Sequence, residues 1–318
     1  MNHKYPYNKY EAPNNNILLD TLNYSVKNIF MFISSKEEKY LNECFEKKGN
    51  DFILNFEKIS DMIKNDIIRI IVGNDDINNF ELLMDNNIIQ NYNKLDECFK
   101  IAVINKSIKI LKYLLNMGID MCHLNNYAII AGSAIENNAD FLHFVIKNGG
   151  DINAQNNSPI KFAAYIGCIN NFMFLIKNGV DIYNVCEYVC KISLNRFHVE
   201  IIEYLVKIGI DFKQYKDVNN FFRESIRQVY NDSIKLCIDM QLDASVISKY
   251  DLQCMLQRDI LPETLKMLIN YGIDFTSLNK IKATTESEII YLKCYDLFVE
   301  NGVNPKTLAL INYKAIDE

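Results

Sequence analysis

The chain has 318 residues, with 34 Lys plus Arg against 40 Asp plus Glu for a formal net charge of −6, and 49% of it is hydrophobic. The mild acidity argues against a nucleic-acid binder, which meets phosphates with a basic face, and the apolar content argues against disorder. A prior of about 150 residues per domain would give two domains, while the excess of Asn and Ile, both with A/T-rich codons, reports base composition more than function.

Taken in chain order, residues 1–16 (MNHKYPYNKYEAPNNN) hold no apolar signal-peptide core and read as a flexible tail. Ile17 to Ile33 predicts an amphipathic helix within an N-terminal capping region at 17–40. From 41 to 304 one phrase recurs: LLNMGID ending at Asp120, VIKNGGD at Asp151, LIKNGVD at Asp181 and LVKIGID at Asp211, then CIDMQLD at Asp243, LINYGID at Asp274 and FVENGVN at Asn304. Its marker residues are Gly118, Gly149, Gly179, Gly209, Gln241, Gly272 and Gly302, spaced by 30 to 32 residues. Asn86 extends the series backwards, and Gly49 extends it further with a longer gap. Small residues sixteen positions before each marker, Ala102, Ser133, Ala163, Ser193 and Ser225, keep the same spacing. Two residue types holding one period establish an internal repeat. Residues 305–318 remain as a C-terminal tail.

Each unit reads as two short helices. In the central copy Ser158 and Pro159 predict a helix start, with Ser as N-cap and Pro at the first helical position. Ile160, Ala163 and Ala164 share one face, and Gly167 ends that helix. A second helix begins near Ile169, carries Phe172, Leu175 and Ile176 on its apolar stripe, and stops at Gly179, where a left-handed residue is needed. Asp181 and its equivalents are placed to accept backbone N–H groups in the following turn. Asn86 fits a left-handed cap tolerably; Gln241 does not, so that joint is expected to be distorted. Ordering a 30-residue unit costs about 45 kcal/mol, which needs on the order of 1800 Å² of apolar burial, more than a lone helix pair hides. The units must therefore stack as an all-α solenoid.

The same residues offer little chemistry. Phosphate-cradling, nucleophile-elbow, kinase and zinc-protease motifs are absent. Cys186 and Cys190 with His198 lack the second ligand pair of a structural zinc site, and Cys190 falls in the core register of Ile160. His123, His143 and His198 lie in three different units, and Glu37, Glu38, Asp75 and Asp76 suit caps and solvated boundaries. No catalytic residue, metal or cofactor is expected. Nine scattered Cys without a secretory signal read as reduced thiols of a cytosol-like compartment. The apolar runs fall well short of the roughly 20 residues of a membrane span.

Asp151 to Ile182, DINAQNNSPIKFAAYIGCINNFMFLIKNGVDI, resembles an ankyrin repeat. Ser158-Pro159-Ile160-Lys161 stands where that family has Thr-Pro-Leu-His, followed by the paired alanines Ala163 and Ala164, Gly167, Leu175-Ile176 and Gly179-Val180-Asp181. Lys161 replaces the family His, and the short period falls between Asp151 and Pro159, where the family builds a β-hairpin finger. The resemblance therefore implies stacked helix–turn–helix repeats with short or absent fingers and little or no strand. Arrays this degenerate and rich in Asn, Ile and Lys are similar to those of large DNA viruses of protists.

The resemblance implies a non-catalytic scaffold or adaptor binding a partner protein through a concave face, a host protein in a viral setting, with no nucleic acid or membrane involved and the chain monomeric in the cytoplasm. Matching the family's finger and inner-helix positions gives Gln155, Asn156, Asn157, Tyr165, Tyr183, Asn184 and Tyr215 as the contact set, with the three tyrosines expected at the surface. A structural or virion-associated protein is the alternative, and an enzyme without a recognisable motif the second.

Overall fold

The computed structural model describes residues 61–91, 94–135, 139–256, 258, 260–280 and 294–308. The tail at 1–16, the capping helix at 17–40, Gly49 and the end of the C-terminal tail lie outside them. The chain divides into two compact units, residues 6–189 and 190–318, the boundary falling inside one helix.

In the first unit the helices come in pairs: α1 (Asp61–Gly73) with α2 (Ile77–Asp85), a short α3 (Ile88–Asn91), α4 (Leu95–Asn105) with α5 (Ile108–Asn116), α6 (His123–Ser133) with α7 (Ala139–Lys147), and α8 (Ala154–Ile166) with α9 (Ile169–Lys177). The first helices pack in succession, α1 on α4 on α6 on α8; among the second helices α2 packs on α5 and α7 on α9. The boundary helix α10 (Cys186–Arg196) follows. The second unit continues with α11 (Val199–Lys207), α12 (Asp217–Gln228), α13 (Asn231–Asp239), α14 (Lys249–Leu256), α15 (Pro262–Tyr271) and α16 (Tyr295–Glu300). There α12 packs on α14, and α11, α13, α15 and α16 follow one another in a second row. No strand occurs among the described residues.

The small-residue series lies in the core: Ala102, Ser133, Ala163, Ser193 and Ser225 are all fully buried. Ser133 and Ser225 satisfy their hydroxyls by donating to the carbonyls of Ile129 and Phe221, four residues back, both at 2.7 Å. This back-bonding lets a polar side chain occupy an apolar layer without leaving a donor unpaired. Phe172 and Leu175 of α9 are buried as their spacing implied, as is Cys190, in the same register as Ile160.

Each second helix ends on a left-handed residue. Gly118, Gly149, Gly179, Gly209, Gly272 and Gly302 have φ between 85° and 107°. In the first described copy the left-handed residue is Asn87 (φ 55°), not Asn86, which corrects the register by one and brings that spacing to 31 residues. Gln241 (φ 53°) adopts the same conformation, and its joint is regular where distortion was expected. Its N–H reaches the Ile238 carbonyl at 2.8 Å and Leu242 that of Cys237 at 3.1 Å; Gly118 and Ile119 make the equivalent bonds to Leu115 and Leu114 at 2.9 and 3.1 Å. The capping bonds outweigh the Cβ penalty of one non-glycine residue. Between paired helices a second left-handed series recurs at Asp75, Lys106, Gly167, Phe197 and Val229.

A candidate recognition surface

After six of the second helices the turn is built by one side chain. Oδ1 of Asp151, Asp181, Asp211, Asp243, Asp274 and Asn304 accepts the N–H two residues on, at 2.8 to 3.0 Å. An acceptor two residues behind an N–H closes an Asx-turn, so the carboxylate series reads as turn chemistry. In the first unit the bond from Tyr183 to Asp181 orders a 3-10 turn over Ile182–Asn184 that leaves Tyr183 70% exposed.

Where a finger would project, two successive repeats carry left-handed turns instead. Leu124, Asn125 and Asn126 have φ of 53°, 57° and 64°, and Gln155, Asn156 and Asn157 have φ of 48°, 58° and 61°. Four of these six residues are Asn, whose short polar side chain visits this region more readily than most. The turns are tied to each other: Gln155 Nε2 donates to the Asn125 carbonyl at 2.7 Å, and Asn126 Oδ1 accepts from the Asp151 N–H at 3.1 Å. The right-handed part of α8 starts at Ser158 with Pro159 in its first turn, as expected. The Ser158 hydroxyl, however, donates to the Gln155 carbonyl at 2.8 Å and so closes the left-handed turn.

Of the residues singled out from sequence, Gln155 and Asn156 are exposed, Asn157 is half-buried, and Tyr183 and Asn184 are exposed in the next turn of the same unit. Gln155 is already engaged with the preceding repeat. Two expectations are corrected. Tyr165 is only 7% exposed, because it follows Phe162 by three residues on α8 and shares its buried face. Tyr215, in the second unit, is half-buried with its ring 6.0 Å from that of Phe212.

Two of the buried thiols are held in the neutral form. Burial pushes the Cys98 thiol up to about 12, with the Glu97 carboxylate adding to the shift, and burial also raises Cys237, so neither presents a thiolate. His123 Nε2 lies 2.7 Å from Asp96 Oδ1, with its ring edge-on to Phe99 at 5.2 Å. Among the described residues no group of three or more His, Cys, Asp or Glu is placed to hold a metal ion. None of the helices among them is long and apolar enough to cross a membrane.

With paired helices, left-handed joints and a fingerless turn established, the similarities of the whole chain can be read. One ankyrin repeat protein of Acanthamoeba polyphaga mimivirus is 25% identical over 293 residues, covering 89% of this chain and 78% of the relative. A second from the same virus is 26% identical over 205 residues, covering 59% of this chain and 65% of its own length, and a third is 23% identical over 214 residues, 67% of each. The array is ankyrin-like, in a divergent form. No family model matches the chain, and no solved structure matches it significantly.

In this ankyrin-like array a polar cluster of the second unit was not anticipated from sequence. Asp251 is fully buried on α14 and accepts from Arg223 Nε at 3.0 Å, from Arg227 Nε, and from the Ser248 N–H and hydroxyl at 2.7 and 2.6 Å. Arg227 is also paired with Glu224, and its guanidinium lies 5.2 Å from the centre of the Tyr250 ring. Burial by itself would raise the Asp251 carboxyl; the Ser248 bonds and the two guanidinium groups outweigh it and hold the group below the usual carboxylate range. Ser248 and Asp251 form a capping box, so Ser-x-x-Asp ahead of an apolar run was a visible signal for half of this cluster. The pairing with α12 was not, since nothing in the local pattern says which helix faces α14.

Proposed function

We propose that this chain is a non-catalytic protein-recognition scaffold whose contact set in the first unit comprises Asn156, Asn157, Tyr183 and Asn184. The observation that carries the reading is Tyr183: a large ring, 70% exposed, on a turn already ordered by its bond to Asp181. A rigid aromatic on a pre-formed turn supplies contact area at low entropic cost, which is how interface anchors work. Similarity to viral ankyrin repeat proteins supports recognition of a protein partner, a host protein in a viral setting. All eight cysteines among the described residues are free thiols, in keeping with action in a reducing, cytosol-like compartment.

The test is affinity capture from amoebal lysate with the full chain as bait, repeated with Tyr183→Ala and with Tyr165→Phe. Loss of a captured protein with the first variant and retention with the second is the expected outcome. Equal capture by both removes Tyr183 from the contact set, and recovery of self-copies alone favours a structural role.

A further inference from the structure

Counting back eighteen residues from each left-handed helix end, Asn87, Gly118, Gly149, Gly179, Gly209, Gln241, Gly272 and Gly302, gives Arg69, Lys100, Ala131, Lys161, Lys191, Arg223, Cys254 and Thr284. Five of these eight are cations, whereas Lys and Arg together are 34 of 318 residues, so composition alone does not produce the row. Four of the five reach a residue 27 or 28 positions ahead, on the next first helix. Arg69 Nε and Nη2 donate to Glu97 Oε1 at 3.0 and 2.9 Å. Lys100 Nζ lies 5.4 Å from the centre of the Tyr127 ring, and Lys161 Nζ lies 5.9 Å from that of Tyr188. Arg223 Nε donates to Asp251 Oδ2 at 3.0 Å. The acceptors are two carboxylates and two aromatic faces, the two kinds of side-chain surface that attract a cation.

We infer that this register position is an inter-repeat staple: a cation there fixes the beginning of the next first helix, whether the sequence supplies a carboxylate or a ring to receive it. Among the positions of the row without a cation, Ala131 has a substitute. That joint, between α6 and α8, is crossed by amides: the Gln155 and Asn126 bonds given above, and the buried Asn171, whose Nδ2 donates to the carbonyls of Ser133 and Ile135 at 3.2 and 2.6 Å. Lys161 has a second role. Its Nζ also donates to the Asn156 carbonyl at 2.7 Å, so one ammonium holds the left-handed turn of its own repeat and the Tyr188 ring of the next. Lys161 is thus a positioning residue for the turn that carries Asn156. That consequence rests on the recognition reading above, while the staple does not.

Hydrogen exchange of the full chain, read by mass spectrometry, tests the staple without a partner. Lys161→Met keeps the apolar stem and removes the charge. Amides of residues 155–158 and 186–189 are expected to exchange roughly two- to five-fold faster, the range for losing one cation–π contact at a part-exposed site. Lys161→Arg restores the slow rate in 186–189, and Lys177→Met, on the exposed end of α9, changes neither segment. Lys100→Met is expected to speed exchange in 127–130 in the same way. Unchanged exchange in 186–189 and 127–130, or an acceleration that Lys161→Arg does not reverse, overturns the inference. If exchange responds as expected while capture ignores Tyr183→Ala, the recognition reading fails and the staple stands.

Discussion

The left-handed joints allow one energetic term to be isolated. Gln241 and Gly179 occupy the same position of two copies, one with a Cβ at φ 53° and one without at φ 107°. A Cβ added at Gly179 meets nothing within 4 Å, so Gly179→Ala changes no packing, and its cost is conformational. Placing an L-residue in the left-handed region costs about 1–2 kcal/mol, from which the lower unfolded-chain entropy of Ala relative to Gly returns roughly 0.5–1 kcal/mol. Gly179→Ala should therefore destabilise by about 1 kcal/mol, and Gln241→Gly, at an exposed side chain, should stabilise by a similar amount. Gln241→Asn should fall between wild type and Gln241→Gly. Urea unfolding followed by circular dichroism at 222 nm reads these as midpoint shifts of opposite sign at unchanged slope. A Gln241→Gly variant no more stable than wild type would sink this account, because a strained backbone would then be absent or repaid by the Gln side chain.

Other consequences are as direct. Asp251→Asn leaves two guanidinium groups facing a neutral amide and should destabilise the second unit by about 3–5 kcal/mol, as breaking a buried pair does, measured by urea unfolding. Because the folded-state pKa of Asp251 is lowered, its contribution is fully present above the unfolded carboxylate value of about 3.9 and is lost as pH falls through the folded value. Acid titration of unfolding midpoints should show that loss in wild type and a reduced one in Asp251→Asn. Tyr165→Ala should cost about 3–5 kcal/mol as a core truncation, whereas Tyr183→Ala should stay within about 0.5 kcal/mol, a comparison that thermal melts make directly.

Local chemistry repeated at one period was legible in the residues alone. The Gly, Asp and small-residue series specified helix ends, Asx-turns and the buried layer, because each depends on a residue and its immediate neighbours. The candidate surface was only partly legible. Tyr183 and Asn184 sit in a turn that the Asp181 signal announces, so their exposure followed. Tyr165 was misplaced because its burial depends on sharing a face with Phe162 inside a stack. Gln241 was misjudged because propensity for a left-handed residue is a weak term beside two capping hydrogen bonds.

A period, a cap and an apolar stripe are one-dimensional signals, and they suffice to dictate an array of helix pairs with shortened turns. What joins one pair to the next is settled in three dimensions. The partners of Arg69, Lys161 and Arg223 lie 27 or 28 residues away and differ in chemistry, carboxylate in two copies and ring in the third. No propensity reports which side chain a cation will meet across a packed joint, because that choice is made by the stacking of helices and by the exclusion of water between them.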